Sequence, residues 1–354
     1  VLEKQQKTSF SVKLLTWNTT QNSRSMPWKG IKDPYRIWLS EIILQQTRVE
    51  QGKSYYEAFI KRFPSVHSLA KADESEVYKL WEGLGYYSRC RNLIHTARVI
   101  SQELKGIFPS TYEGLLALKG IGAYTAAAIG SFAFGLPKAV VDGNVLRVLS
   151  RVFGIKFPID DKKGREYFNQ LAQELIDKAK PADYNQAIMD FGATVCTPKK
   201  PICCTCPFEK DCVALKQKKI SHYPVKSVKK KPRDRWFYYL VLQYKQSYLI
   251  TKRSGKGIWQ NLHEFILQEK STKVNDEQLK NQAFWELEGI EFKPVDMIVS
   301  DEIVHQLTHQ TIHCKFVKLR IRKKINKPGY QWIENNVLQN LAFPRLITRY
   351  FESV

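Results

Sequence analysis

Five of the seven cysteines in this 354-residue chain fall within CTPKKPICCTCPFEKDC, residues 196–212. Four of them, Cys196, Cys203, Cys206 and Cys212, are separated by six, two and five residues. Thiolates this close in sequence converge on one centre only when a cation offsets their repulsion. A tetrahedral zinc held by four thiolates meets that need, and so does an iron–sulfur cluster. Zinc ribbons present two separated CxxC pairs and this run has one, so the cluster is the favoured reading. Cys204 interrupts the spacing and reads as a bystander.

A second chemistry lies in two acids. Glu41 sits in DPYRIWLSEIILQQTRVE, where Ile37, Trp38, Leu39, Ile42, Ile43 and Leu44 surround a helical axis, so this helix is expected to be buried and Glu41 with it. A carboxyl group buried without a fixed cation has a raised pKa, keeps its proton near neutral pH and can act as an acid; the plainer alternative is an ion pair with Arg48. Asp142, in AVVDGNVLRVLSRVFG, precedes an amphipathic helix and reads first as its N-cap. A catalytic reading of Asp142 needs a partner, and Glu41 is the candidate. In LKGIGAYTAAAIGSFAFG, Gly120 and Gly122 flank Ile121 ahead of an Ala-rich helix from about Tyr124. Such a hairpin exposes backbone N–H groups at a helix N-terminus and can hold one DNA phosphate without reading a base.

The elements that must position these residues divide the chain. Helical periodicity runs from Tyr35 to about Leu215, broken by turn signals such as KRFPSV, KGIFPS and GLPK, so residues 1–215 read as a nearly all-helical domain. Residues 216–234 are basic, carry two prolines and lack apolar periodicity: an interdomain linker, either a solvated tether or a grip on phosphates. Residues 235–354 read as a small α+β domain. RWFYYLVLQYKQSYLITKR is expected to form two strands joined by a short turn, VHQLTHQTIHCKFVKLRI further strand, and DEQLKNQAFWELEG a helix between them.

The chain has 56 Lys and Arg against 34 Asp and Glu, a formal charge of +22. Such an excess faces a polyanion, with nucleic acid favoured over an anionic membrane surface. The first residues lack the apolar run of a signal peptide, and AYTAAAIGSFAFGL is too short to span a membrane. A soluble, intracellular, cytoplasmic protein with no membrane partner is expected. Its reduced thiols would favour metal over disulfides.

Taken together, WLSEIILQQTRVE, LWEGLGYYSRCRNL, LKGIGAYTAAAIGSFAFG, VVDGNVLRVLSR, NQAIMDFGATVCT and the four-cysteine run resemble the adenine DNA glycosylases of the MutY type, within the helix-hairpin-helix, endonuclease III-like superfamily. The resemblance covers residues 20–215 and extends less closely over the rest. It implies an N-terminal all-α glycosylase domain with a [4Fe–4S] loop and a C-terminal MutT/Nudix-like α+β domain. It further implies a monomer that excises adenine mispaired with 8-oxoguanine, or with G, from double-stranded DNA. On that resemblance Glu41 protonates the departing adenine, Asp142 stabilises the sugar cation, Tyr124 assists and Asn144 supports Asp142. Arg24, Trp28 and Gln186 belong to the adenine pocket, and Gln46 and Tyr86 enter the base stack.

Related glycosylases that also cut the strand carry a lysine where Tyr124 stands, and a phenol cannot form the imine, so a monofunctional enzyme is implied. Leu307, Thr308 and His309 occupy the place of the family's Phe-Ser-His lesion-reading loop: Thr308 keeps the hydroxyl, while Leu307 offers no ring to stack. AFWELEGIEF resembles the Nudix helix without its acidic metal-binding run, so the C-terminal domain is expected to read DNA and not to hydrolyse pyrophosphates. The cluster is expected to clamp a basic loop, with Lys199 and Lys200, against DNA. The competing readings are an endonuclease III-like pyrimidine glycosylase and a DNA-binding module without chemistry.

Overall fold

The computed structural model describes residues 4–227, 232–255, 257–285 and 296–352. It divides into two units: Val1–Lys71 with Asn92–Lys229, and Ala72–Arg91 with Lys230–Val354.

The described elements of the first unit are helical. Four helices carry the chemistry, and local sequence explains each boundary. Pro34–Leu44 starts on Pro34, with Asp33 accepting the backbone N–H of Tyr35 at 2.9 Å. Ala123–Phe134 follows Gly122 and ends at Gly135, whose φ of 68° is left-handed. Gly143–Phe153 is capped by Asp142 and ends at Gly154, and Pro181–Thr194 again opens on proline. Helicity also begins earlier than Tyr35, in Lys4–Thr20. Phe10, Leu14 and Trp17 from that helix are buried in one core with Val145, Val148, Leu149, Phe168 and Phe191.

The helices Gly143–Phe153 and Pro181–Thr194 approach so closely that a Cβ on Gly192 would stand 2.7 Å from Cβ of Asn144. Only glycine permits that contact. It sets the start of one helix, with Asp142 and Asn144, against the last turn of the other.

Residues 216–227 differ from the expected free linker. Val213–Lys216 is a helical turn and Ile220–His222 a 3₁₀ turn. Tyr223 is buried, its carbonyl accepting Arg151 Nε at 3.3 Å, and Ile159 N–H bonds Val225 O at 3.0 Å. Apolar Ile220, Tyr223 and Val225 thus attach a basic segment to the helical unit.

The second unit is built on an eight-stranded sheet among the described residues. Its strands are β1 (Arg233–Tyr244), β2 (Ser247–Lys252), β3 (His263–Glu264), β4 (Ile266–Lys270), β5 (Met297–Val299), β6 (Ile303–Gln306), β7 (Gln310–Arg320) and β8 (Gln331–Glu334). The main path runs β3-β2-β1-β7-β5, with β4 on β1, β6 on β7 and β8 on β2. β1 and β7 pair in parallel from Arg233↔Gln310 to Gln243↔Arg320, and the other pairings are antiparallel. Buried Leu240, Leu242, Val317 and Leu319 form the sheet's core with Trp285.

VHQLTHQTIHCKFVKLRI, read as further strand, forms the hairpin β6–β7, its turn Leu307–His309 closed by Leu307 N–H to Gln310 O at 2.8 Å. DEQLKNQAFWELEG holds two short helices, Asp276–Leu279 and Gln282–Trp285, and its remainder, with most of AFWELEGIEF, lies outside the described residues. Residues 72–91, expected in the helical domain, belong to the second unit. There Asn261 Nδ2 donates to Tyr78 Oη at 3.0 Å and Tyr87 Oη to Phe343 O at 3.3 Å.

Candidate active site

One cavity of about 890 Å³ in the first unit gathers most of the singled-out residues. Its walls include Glu41, Tyr124, Asp142 and Asn144, with Arg24, Trp28, Gln46, Gln186 and Gly122 around them. That volume lies within the range of small-molecule sites. Gly120 is not part of the lining. Its φ of +82° lies in the left-handed region, and a Cβ there would stand 2.6 Å from Cβ of Asn92. Gly122 has φ −89° and open space around it, so its role is to leave the N-terminus of helix Ala123–Phe134 uncovered.

The two acids differ in their surroundings. Glu41 is 8% exposed on a helix buried on all sides. Burial pushes its carboxyl up to about 7; the charge of Asp142 pushes the same way, and a hydrogen bond with Tyr124 opposes them. Asp142 is also raised by burial, but Val145 N–H bonds its Oδ1 at 2.8 Å, Asn144 Nδ2 bonds its Oδ2 at 2.7 Å, and the Arg147 guanidinium favours its charge. Two like charges in one cavity repel, so the shared proton belongs on Glu41, which has no N–H donor among the described residues, and the negative charge on Asp142, which has them. Asp142 is therefore both the N-cap and a wall of the cavity. Among the described residues Arg48 is not paired with Glu41. Tyr124 has its hydroxyl held well above the usual phenol range by burial beside both acids, and it points at Met189 Sδ, 3.5 Å away.

Residues that the sequence did not single out hold this arrangement. Arg147 Nη2 donates to Asn144 Oδ1 at 2.8 Å and to Gly192 O at 2.6 Å, while its Nε donates to Cys196 O at 2.8 Å. Arg151, one turn on, reaches Thr197 O at 2.7 Å, Pro198 O at 3.0 Å and Cys196 Sγ at 3.5 Å. Two basic residues four apart on an otherwise apolar face, in VLRVLSR, were the available signal. On the recognition side Arg24 and Gln186 both donate to Asp190, another residue passed over, at 2.8 and 3.0 Å. Trp28 is fixed edge-on to Tyr56, ring centroids 5.3 Å apart.

Cys196, Cys203, Cys206 and Cys212 line one small cavity with Arg151, Phe191 and Phe208, and Cys204 is exposed beside it. Burial, followed by mutual repulsion, raises the thiols of Cys203 and Cys212, and burial pushes Cys206 up to about 12. Thiols that share one pocket are the donor type that a metal centre would deprotonate. Among the described residues no group of three or more His, Cys, Asp or Glu is set to hold a metal ion. No described helix is long and apolar enough to cross a membrane.

Comparison with known proteins decides the family. Residues 39–177 match the HhH-GPD superfamily of base excision DNA repair proteins, and residues 237–353 match the NUDIX domain. The chain is 35% identical over 305 residues to an adenine DNA glycosylase of Buchnera aphidicola subsp. Schizaphis graminum, covering 86% of this chain and 85% of that one. It is 32% identical over 354 residues to the adenine DNA glycosylase of Buchnera aphidicola subsp. Baizongia pistaciae, covering 98% and 96%. The chain belongs to the adenine DNA glycosylase family. A solved thermostable thymine-DNA glycosylase superposes on 60% of it with a TM-score of 0.56 and 32% identity, matching 98% of its own chain. The fold is accordingly an N-terminal helical HhH-GPD domain followed by a Nudix domain with a mixed sheet.

For an adenine DNA glycosylase the remaining residues of interest are those expected to face the partner strand. Tyr86, Thr308 and His309 all belong to the second unit. Thr308 and His309 are exposed in the β6–β7 turn, and the Tyr86 and Thr308 hydroxyls stand 2.6 Å apart. Tyr86 has φ +49° and Gln46 φ +56°, left-handed conformations unusual outside glycine. Arg89 supports the first by lying over the Tyr86 ring, 5.5 Å from its centroid.

Proposed function

We propose that this protein removes adenine mispaired with 8-oxoguanine, or with G, from double-stranded DNA, as a monofunctional monomer. The observation carrying this reading is one cavity lined by Glu41, whose buried carboxyl is pushed up to about 7, by the hydrogen-bonded Asp142 and by the phenol of Tyr124.

The chemistry follows from the bond to be broken. Adenine leaves poorly as an anion, and the sugar it leaves acquires positive charge at C1′. The duplex hides that bond, so the nucleotide must first rotate out of the stack, at a cost of a few kcal/mol that a mispair reduces. Inside the cavity Glu41 gives its proton to a ring nitrogen of adenine, so the bonding pair departs with a neutral base. Asp142, oriented by Asn144 and by the N–H of Val145, faces the developing cation. Water then adds to C1′ and its proton returns to a carboxylate, leaving free adenine and an abasic site. This is the two-carboxylate logic of glycoside hydrolysis applied to a base. General-acid help of this kind gives about 10²–10⁴-fold, and the fixed charge of Asp142 and the positioning add to it. Tyr124, a phenol, offers no amine to trap the sugar as an imine.

Cys196, Cys203, Cys206 and Cys212 would hold a [4Fe–4S] cluster. When bound, it supplies a rigid cross-link for the loop bearing Lys199 and Lys200 and takes no part in the hydrolysis. The hairpin of Gly120 and Gly122 would grip a phosphate, Gln46 and Tyr86 would fill the stack, and Thr308 and His309 would contact the lesion. The site of action follows as intracellular DNA.

The test is a glycosylase assay on duplexes with A opposite 8-oxoguanine, A opposite G and A opposite T. Release of adenine from the first two, with no borohydride-trapped adduct, is expected. Release from none, or trapping on an oxidised pyrimidine, would overturn the reading.

A further inference from the structure

Asp190 has no exposed surface, lies mid-helix in Pro181–Thr194 and takes no part in the chemistry above. Its carboxylate accepts four hydrogen bonds. Oδ1 receives Arg24 Nη1 at 2.8 Å and Gln186 Nε2 at 3.0 Å. Oδ2 receives Asn22 Nδ2 at 2.9 Å and Lys29 Nζ at 3.0 Å. Two cationic and two amide donors offset the cost of removing this charge from water. Arg24, Lys29 and Gln186 also line the cavity that holds Glu41. One buried acid thus organises a wall of the site.

The consequence lies in Gln186. A carboxylate offers lone pairs only, so Gln186 must turn its NH₂ group toward Asp190. With the NH₂ group engaged by Asp190, the carbonyl oxygen is the atom of this cavity-lining amide left to meet a ligand. We infer that Asp190 is a positioning residue that sets base specificity: by locking the Gln186 amide it presents an acceptor to the base, suited to a 6-amino purine and opposed to a 6-oxo purine. A free glutamine would rotate and serve either base. Held by Asp190, its carbonyl would face the O6 of hypoxanthine as one acceptor against another, an unpaired buried contact of the kind that gives polar sites their discrimination. Arg24 and Lys29, neutralised by the same carboxylate, are kept from repelling a base that must accept a proton.

This rests on the reading of the cavity as an adenine site, and the experiment separates the two. Single-turnover release of adenine and of hypoxanthine is measured from duplexes otherwise identical, with thermal melting of each variant. Wild type is expected to favour adenine by about 10- to 100-fold, the range of one unpaired buried polar group. In Asp190→Asn the new amide can donate to the Gln186 carbonyl and release its orientation, so the ratio should fall to within about threefold of unity. Asp190→Ser replaces it should Asp190→Asn fail to fold. Gln186→Met leaves Asp190 with its other three donors and should show the same collapse. A merely structural role would slow both bases alike and leave the ratio unchanged. A ratio kept in the Asp190 variant, or in Gln186→Met, overturns the inference while the adenine reading stands. A wild type that releases no adenine overturns the adenine reading itself.

Discussion

Glu41 and Asp142 carry the same functional group, and their roles are divided by their neighbours. Glu41 is flanked on its helix by Ile37, Trp38, Ile42 and Ile43 and has no N–H donor among the described residues; Asp142 has two and a nearby guanidinium. The acid form of Glu41 is lost as pH rises through about 7, so the single-turnover rate of base release should fall about tenfold per unit above that point. A pH–rate profile checks this. Stability carries the same signature. The folded-state value of about 7 lies above the ordinary 4.5, so the contribution of Glu41 is fully present below about pH 4.5 and is lost as pH rises through about 7. The loss is roughly 3 kcal/mol. Glu41→Gln removes that dependence, and the variant should melt several degrees above wild type at pH 8 and level with it at pH 4.5. Both acids were legible in the sequence, one as a charge inside a greasy helix and the other ahead of an amphipathic one. Asp190 was not, because three of its four donors, Asn22, Arg24 and Lys29, lie far from it in sequence and only the fold brings them together.

Elements place these groups through a few contacts that tolerate no substitution. Gly120 needs its positive φ and stands against Asn92, whereas Gly122 meets nothing within 4 Å and has φ −89°. Gly120→Ala should therefore cost about 2 kcal/mol or more, and Gly122→Ala about 1 kcal/mol or less, as read by denaturant melts. Equal costs would count against the distinct roles assigned to the two glycines. The sequence pattern showed that a hairpin was present but could not rank its glycines, because φ is not encoded in spacing. It also missed that Arg147 ties the helix capped by Asp142 to the cysteine loop through Asn144 and Cys196 O. The β6–β7 turn was marked only by the resemblance: alternating β-favouring residues flank Leu307–His309, and the break lacks glycine and proline.

At the scale of the whole molecule, division into a helical part and a mixed-sheet part was plain from periodicity. The grouping of residues 72–91 with the second unit was not, since Tyr78 and Tyr87 are anchored by partners far away in sequence. The four-cysteine run was plain in the sequence and its members line one small cavity, but among the described residues they are not set as a metal-holding group, so the centre rests on the proposal above. Purified protein should be brown and carry about four irons per chain, against the one zinc of a colourless alternative. Cys196→Ser and Cys206→Ser should each lose most of that iron. Retention of full iron content in both would contradict the assignment.

The account depends above all on the proton held by Glu41, and the most direct measurement pairs base release with DNA binding. Wild type and Glu41→Gln are compared under single turnover on one duplex with adenine opposite 8-oxoguanine, with affinity measured in parallel. Glutamine keeps the size and loses the transferable proton, so the expected variant binds within about threefold of wild type and releases adenine at least about 10²-fold more slowly. A variant that binds equally well and still releases adenine at more than about a tenth of the wild-type rate would place the acid elsewhere.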